Sequence, residues 1–137
     1  MAAEAFELFD AHLHIIDSRF PLVPNDGYTP EPFTCEDYLS SMKGPDGPQG
    51  CRLVGGAIVS GSFQAFDQTY LKDALARLGP GFVGVTQVPA TITDDELQDL
   101  DRAGVRAVRF NLKRGGSEEI GYLDRLARRV HEVVGWH

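Results

Sequence analysis

The sequence has few cysteines, no long apolar run and no excess of basic residues. Its only two cysteines, Cys35 and Cys51, lack metal or redox spacing, so free thiols and a cytoplasmic location are expected. No apolar run approaches the ~20 residues that span a bilayer. The acidic N-terminal residues are not typical of a signal peptide. A net charge of −7 argues against a nucleic-acid or membrane partner.

Nucleotide-binding motifs are absent as well. No G-x-G-x-x-G follows the first apolar run, and the chain has no Walker A motif. The chain instead alternates four short apolar runs, at 6–15, 53–59, 82–88 and 105–112, with segments of helical periodicity. This alternation predicts an α/β fold with a parallel sheet and right-handed crossovers. An open doubly wound sheet and a (β/α)8 barrel are both compatible with it.

The predicted helices have recognisable end signals. Thr93-Asp-Asp-Glu96 is a capping box, and Gly104 ends that helix. Asp67 and Ser117 are predicted to cap the preceding and following helices. The remaining predicted features are, in chain order, a loop over 21–32, a helix over 34–42, and helix ends at Gly79 and Gly135. The inward face of the last helix is predicted to comprise Ile120, Leu123, Leu126, Val130 and Val134.

The first apolar run contains the most informative motif, Asp10-Ala-His12-Leu-His14. Side chains two residues apart in a strand share a face, so these three polar groups are predicted to face together. The opposite face would then be apolar, with Phe9, Ala11, Leu13 and Ile15. Two converging imidazoles form half of a metal site, and Asp10 could orient a ring or accept a proton. The spacing alone also fits two incidental histidines at a strand end.

The same alternation applied to the fourth run predicts a second group of site residues. Val105, Ala107, Arg109 and Asn111 would share one face, and Val108, Phe110 and Leu112 would pack against helices. Arg109 is suited to bind a carboxylate, although a structural ion pair with Asp10 is an alternative. Ser62, Tyr28 and, more weakly, Gln87 could donate hydrogen bonds to the same ligand.

Phe9-Asp-Ala-His-Leu-His14 resembles the metal-site motif of the amidohydrolase superfamily. Three further segments are similar to the branch that contains 2-pyrone-4,6-dicarboxylate hydrolase and sugar-acid lactonases: Asp26-Gly-Tyr-Thr-Pro30, Val59-Ser-Gly-Ser-Phe63 and Gly104-Val-Arg-Ala-Val-Arg-Phe-Asn111. The resemblance implies a TIM (β/α)8 barrel, hydrolysis by an activated water, and a divalent metal, zinc, held by His12 and His14. A family member that works without a bound metal is also compatible with the resemblance.

The length is that of half a barrel. A full (β/α)8 barrel needs ~250 residues, so residues 1–137 are expected to be the N-terminal half, with four β–α units. The expected function is a hydrolase that opens a lactone or cyclic ester of a small carboxylated substrate, and the isolated chain is expected to be inactive. The alternatives are a decarboxylase of the same barrel family and a non-catalytic half-barrel that assembles, for example as a homo-oligomer.

Overall fold

The computed structural model describes residues 5–24 and 28–137. Four strands and four helices alternate along them, as the sequence predicts. The elements are β1 (Phe6–Leu13), α1 (Cys35–Lys43), β2 (Cys51–Val59), α2 (Thr69–Leu78), β3 (Phe82–Thr86), α3 (Asp94–Ala103), β4 (Val105–Val108) and α4 (Leu123–Val134). Two short 3₁₀ turns, Ser62–Gln64 and Ile120–Tyr122, precede α2 and α4.

The sheet order distinguishes between the two predicted closures. The four strands are parallel and lie in the order β1-β2-β3-β4, each beside its neighbour in the sequence. A doubly wound sheet would reverse its order at a switch point, whereas a barrel keeps sequential neighbours. The order is therefore that of half a barrel. Next to β4, Val108 N–H donates to the carbonyl of His137 over 3.0 Å, and His137 N–H donates to the carbonyl of Arg106.

The core lies between one face of the sheet and the helices. It contains fully buried residues from the strands and the helices alike, among them Ile58, Leu71, Leu97 and Val105. Cys35 is buried in it, and both cysteines are free thiols, as predicted. None of the helices in the described ranges is long and apolar enough to cross a membrane.

Helix capping agrees with the sequence at four of the predicted ends, including Gly79 at the end of α2, and differs at two. Thr93 and Glu96 form the predicted capping box, and Gly104 and Gly135 end their helices in the left-handed conformation. Asp67 instead accepts hydrogen bonds from Thr69, while Gln68 occupies the cap position of α2.

The predicted start of the last helix is wrong. Ser117 does not cap it, because the Ser117 hydroxyl accepts a hydrogen bond from Asn111 N–H instead and α4 begins only at Leu123. Leu126 and Val130 are buried as predicted, but Ile120 and Leu123 are exposed, because a 3₁₀ turn changes the helical phase ahead of Leu123. The exposure of Leu112, 70 %, likewise contradicts its predicted packing against helices.

Irregular pairing breaks the alternation on which both groups of site residues were predicted. In β1, Asp10 pairs with Gly56 and Leu13 with Ile58, so three positions of β1 span two positions of β2. Asp10 therefore faces α1, as Leu13 does, and the prediction that it shares the face of the histidines is wrong. A second irregularity pairs Val105 with Gly84 and Ala107 with Val85. Val105 is accordingly fully buried in the core and does not share the face of Ala107.

Candidate functional site

A cleft of about 570 Å³ opens where β1, β2 and β4 end. It is lined by His14, Tyr28, Gly61, Ser62, Phe63, Arg109, Asn111, Lys113 and Arg114. Five of the eight residues predicted for the site line this cleft, and the ring of His12 lies next to that of His14. The carboxyl ends of parallel barrel strands are where such sites form, because loops from several strands meet there. Asp26 and Gly27 of the predicted motifs lie outside the described residues.

The two histidines of the motif lie side by side. Their ring centroids are 5.0 Å apart, and the rings are nearly perpendicular. His14 Nδ1 lies 2.7 Å from the carbonyl oxygen of Val59. Because a carbonyl only accepts, Nδ1 must carry the proton of the neutral ring, which leaves the Nε2 lone pair available to a metal.

The pKa of His12 is lowered from its ordinary value. Burial is the largest cause, followed by the charges of His14 and Arg109, while Asp10 acts in the opposite direction. The neutral imidazole is therefore favoured at lower pH than in a free histidine. Metal ligation requires this neutral form.

Asp10 occupies a different environment from the one predicted. The buried Tyr38 of α1 donates its hydroxyl proton to Asp10 Oδ2 over 2.9 Å, and Asp10 Oδ1 accepts from the main-chain N–H of His12. Burial and the neighbouring carboxylate both raise the pKa of Tyr38, so it stays a donor. Asp10 does not line the cleft, and its hydrogen bonds connect the histidine motif to α1. A catalytic role for Asp10 stays a prediction.

Arg109 lies in the cleft and is anchored by the main chain. Its Nη1 donates to the carbonyl of Ser60 over 2.8 Å. Ser60 is itself fully buried, and its hydroxyl lies 2.7 Å from the Tyr70 hydroxyl and 2.9 Å from Thr86 Oγ1. Arg109 forms no ion pair within residues 5–24 and 28–137, so the alternative of a structural pair with Asp10 is not found.

The loop after β4 carries cations that the sequence analysis missed. Lys113 and Arg114 line the cleft together with Arg109. Asn111 shapes this loop, since its Oδ1 accepts from Arg114 N–H and its carbonyl accepts from Gly115 N–H. The side-chain amide nitrogen of Asn111 makes no hydrogen bond within residues 5–24 and 28–137 and can donate to a ligand. The signal that could have identified Lys113 is its alternation with Arg109 and Asn111 beyond the strand end.

Ser62 and Tyr28 both contribute a hydroxyl group to the cleft, but they differ in how exposed they are to solvent. Ser62 is buried at 7 % exposure, and Tyr28 is 61 % exposed. Gln87, by contrast, is fully buried and does not line the cleft. No group of three or more potential metal ligands occurs in the described part of the chain. His12 and His14 therefore offer two imidazoles to a metal.

The sheet order and the position of the cleft define half of a barrel with its site at the strand ends. The sequence pattern of the amidohydrolase family matches residues 9–137, and the chain belongs to that family. It is 32 % identical over 133 residues to the 4-sulfomuconolactone hydrolase of Rhizobium radiobacter, covering 93 % of this chain and 40 % of that protein. It is 31 % identical over 110 residues to the 2-pyrone-4,6-dicarboxylate hydrolase of Comamonas testosteroni, covering 74 % and 32 %.

Solved structures show the same fold. A protein of Agrobacterium tumefaciens in its apo form matches with a TM-score of 0.76 at 24 % identity, over 93 % of this chain and 46 % of that one. A probable 2-pyrone-4,6-dicarboxylic acid hydrolase of Acinetobacter baumannii with citric acid bound matches with a TM-score of 0.73 at 21 % identity, over 91 % and 46 %. The chain thus spans less than half the length of each of these relatives.

Proposed function

We propose that the protein is a hydrolase that opens a lactone or cyclic ester of a small, carboxylated substrate. The observation that carries the proposal is the cleft itself, in which Arg109, Lys113 and Arg114 lie with His14 and no carboxylate is among the described lining residues. Such a cleft attracts an anion. The two relatives above are named for a sulfonated lactone and a pyrone dicarboxylate, which are anionic substrates.

Each cation has a distinct part in the proposed chemistry. The guanidinium of Arg109 is held by the Ser60 carbonyl and can bind a carboxylate or stabilise negative charge that develops on a carbonyl oxygen under attack by water. Lys113 and Arg114 would bind a second anionic group of the same substrate. Ser62, Tyr28 and the amide of Asn111 would orient the ring by hydrogen bonds.

The donor set is compatible with a divalent metal such as zinc. His12 and His14 would hold it, since the two rings are adjacent, the lowered pKa of His12 favours its neutral form, and the Val59 carbonyl orients the His14 ring. When bound, such an ion supplies a Lewis acid for a carbonyl and a more acidic water. A metal-free enzyme in which the cations alone stabilise the oxyanion remains the alternative.

The proposal is tested on the protein as its natural gene encodes it. The purified protein is incubated with 2-pyrone-4,6-dicarboxylate and with 4-sulfomuconolactone, and ring opening is followed by acid release and by mass spectrometry of the product. We expect one molecule of water to be added per ring opened. Release of carbon dioxide from an aromatic acid, without lactone hydrolysis, would instead favour the decarboxylase. Absence of both activities in a folded protein would favour the non-catalytic half-barrel. The cytoplasmic location and self-association stay predictions.

A further inference from the structure

The cleft is assembled from three segments that follow different strands. His14 follows β1, Ser62 follows β2, and the cationic segment 111–114 follows β4. β2 and β4 are not neighbours, because β3 lies between them. Ser62 and the cationic segment both lie beyond the last paired residues of these strands, so sheet hydrogen bonds alone do not fix the distance between them.

Gln87, directly after β3, connects the two loops on either side of it. Its Nε2 lies 3.1 Å from the carbonyl oxygen of Gly61, 3.2 Å from that of Ala65 and 3.0 Å from that of Gly116. The first two belong to the loop after β2, and the third belongs to the loop after β4. The Gln87 side chain is fully buried, so water does not compete for these carbonyls.

Gln64 makes the matching connection to β1. Its Nε2 donates to the carbonyl of Ile15 over 2.8 Å, next to His14, and its Oε1 accepts from Gly61 N–H over 2.9 Å. Gln64 is also buried, at 1 % exposure. The N–H and the carbonyl of Gly61 are thus each held by a buried glutamine. One continuous series of hydrogen bonds links Ile15, Gly61 and Gly116.

We propose that Gln64 and Gln87 are positioning residues that set the spacing of His14, Ser62 and the cationic segment 111–114. Neither glutamine lines the cleft. Gln87 Oε1 is buried without a hydrogen-bond partner among the described residues, which costs stability. An apolar side chain would avoid that cost, so the benefit of Gln87 lies in its three carbonyl contacts.

The test compares Gln87→Leu, Gln87→Glu and Gln64→Leu with the natural full-length protein. Hydrogen exchange is followed by mass spectrometry on peptides that cover 60–66 and 111–117. We expect each Leu variant to accelerate exchange in its loops by about tenfold, since one or more buried hydrogen bonds are lost. Gln87→Leu should accelerate exchange in both loops together, because Gln87 contacts both. Gln87→Glu is nearly isosteric yet should be worse than Gln87→Leu, because its carboxylate would face three carbonyl oxygens.

Two controls separate positioning from general weakening. Gln49 donates to the carbonyls of Pro45 and Gly47 in a surface loop, so Gln49→Leu removes the same type of contact away from the cleft. Leu97→Ala weakens the core under α3, and Leu97 belongs to neither loop. Neither should accelerate exchange selectively in 60–66 and 111–117. Unchanged exchange in Gln87→Leu, or equal acceleration in Leu97→Ala, would overturn the proposal.

A second readout connects the spacing to ligand binding. The affinity for citrate, a small tricarboxylate, is measured by calorimetry well below the melting temperature of each variant. We expect Gln87→Leu to weaken citrate binding by about tenfold and Gln49→Leu to leave it unchanged. This readout rests on the proposed anion binding, whereas the exchange readout does not. A natural protein that binds no citrate but shows the coupled exchange would contradict the proposed function alone.

Discussion

At the residue scale, one extra residue in β1 determines which side chains of the histidine motif lie together. Alternation predicts that Asp10 joins His12 and His14, but the irregular pairing turns Asp10 towards Tyr38 and leaves the two rings adjacent. The residue types of the site could be predicted from the sequence. The bulge could not, because it depends on the register with β2, which no local pattern in β1 encodes.

The two histidines give a direct prediction about metal content. His12→Asn and His14→Asn, made separately in the natural protein, should each abolish bound zinc, because each removes one of two adjacent ligands. His131→Asn is the matched control, since His131 is exposed on α4. Elemental analysis of the purified proteins measures the outcome. Unchanged zinc in either variant would exclude that histidine as a ligand, and a natural protein without metal would favour the metal-free alternative.

At the scale of elements, the sequence predicts all four strands and helices, and it predicts ends best where one residue acts locally. Thr93, Gly104 and Gly135 act through their own backbone or hydroxyl, so their positions were predicted correctly. Ser117 was assigned to a helix cap but stabilises the loop at Asn111, a choice that depends on the path of the whole loop. Arg114 was missed for the same reason, since that path places it in the cleft, whereas the alternation of Lys113 with Arg109 and Asn111 was visible in the sequence.

The capping box of α3 predicts a stability change. Thr93→Ala should lower the free energy of unfolding by about 1 kcal/mol, because Glu96 N–H loses its acceptor. The pKa of Glu96 is held low by the Thr93 N–H and hydroxyl, so this stabilisation is present above the unfolded pKa and is lost as pH falls through the folded one. Thr93→Ala should therefore also reduce the loss of stability in acid. Urea unfolding at several pH values measures both effects, and a similar loss in the exposed Thr91→Ala would contradict them.

Gly116 and Gly115 form a matched pair in the loop after β4. Both have positive φ, +70° and +72°, so alanine strains either by roughly 1–2 kcal/mol. A Cβ at Gly116 would lie 2.3 Å from the Ser62 carbonyl oxygen, whereas at Gly115 it would meet open space. Gly116→Ala should therefore weaken citrate binding by displacing the two loops, while Gly115→Ala should change stability alone. Calorimetry measures the affinities, and equal affinities for the two variants would show that the close approach does not matter.

At the scale of the whole molecule, the chain has the sheet order of a barrel and less than half the length of its relatives. Phe6 and Phe9 of β1 are 80 % and 50 % exposed, which is unusual for large apolar side chains on a strand. The fold class was predicted from the alternation of elements, and the barrel order followed from the resemblance. That residues 1–137 form the N-terminal half of a longer barrel stays a prediction.

The central claim is that this half of the barrel binds an anionic substrate at Arg109. The most direct measurement is the affinity of the natural protein for 2-pyrone-4,6-dicarboxylate, compared with Arg109→Ala and with Arg128→Ala, which removes an exposed arginine of α4 paired with Asp124. We predict a loss of at least about tenfold for Arg109→Ala and none for Arg128→Ala, with unfolding free energy lowered by no more than about 1.5 kcal/mol through the lost Ser60 contact. Unchanged affinity in Arg109→Ala, or a variant that no longer folds, would contradict the account.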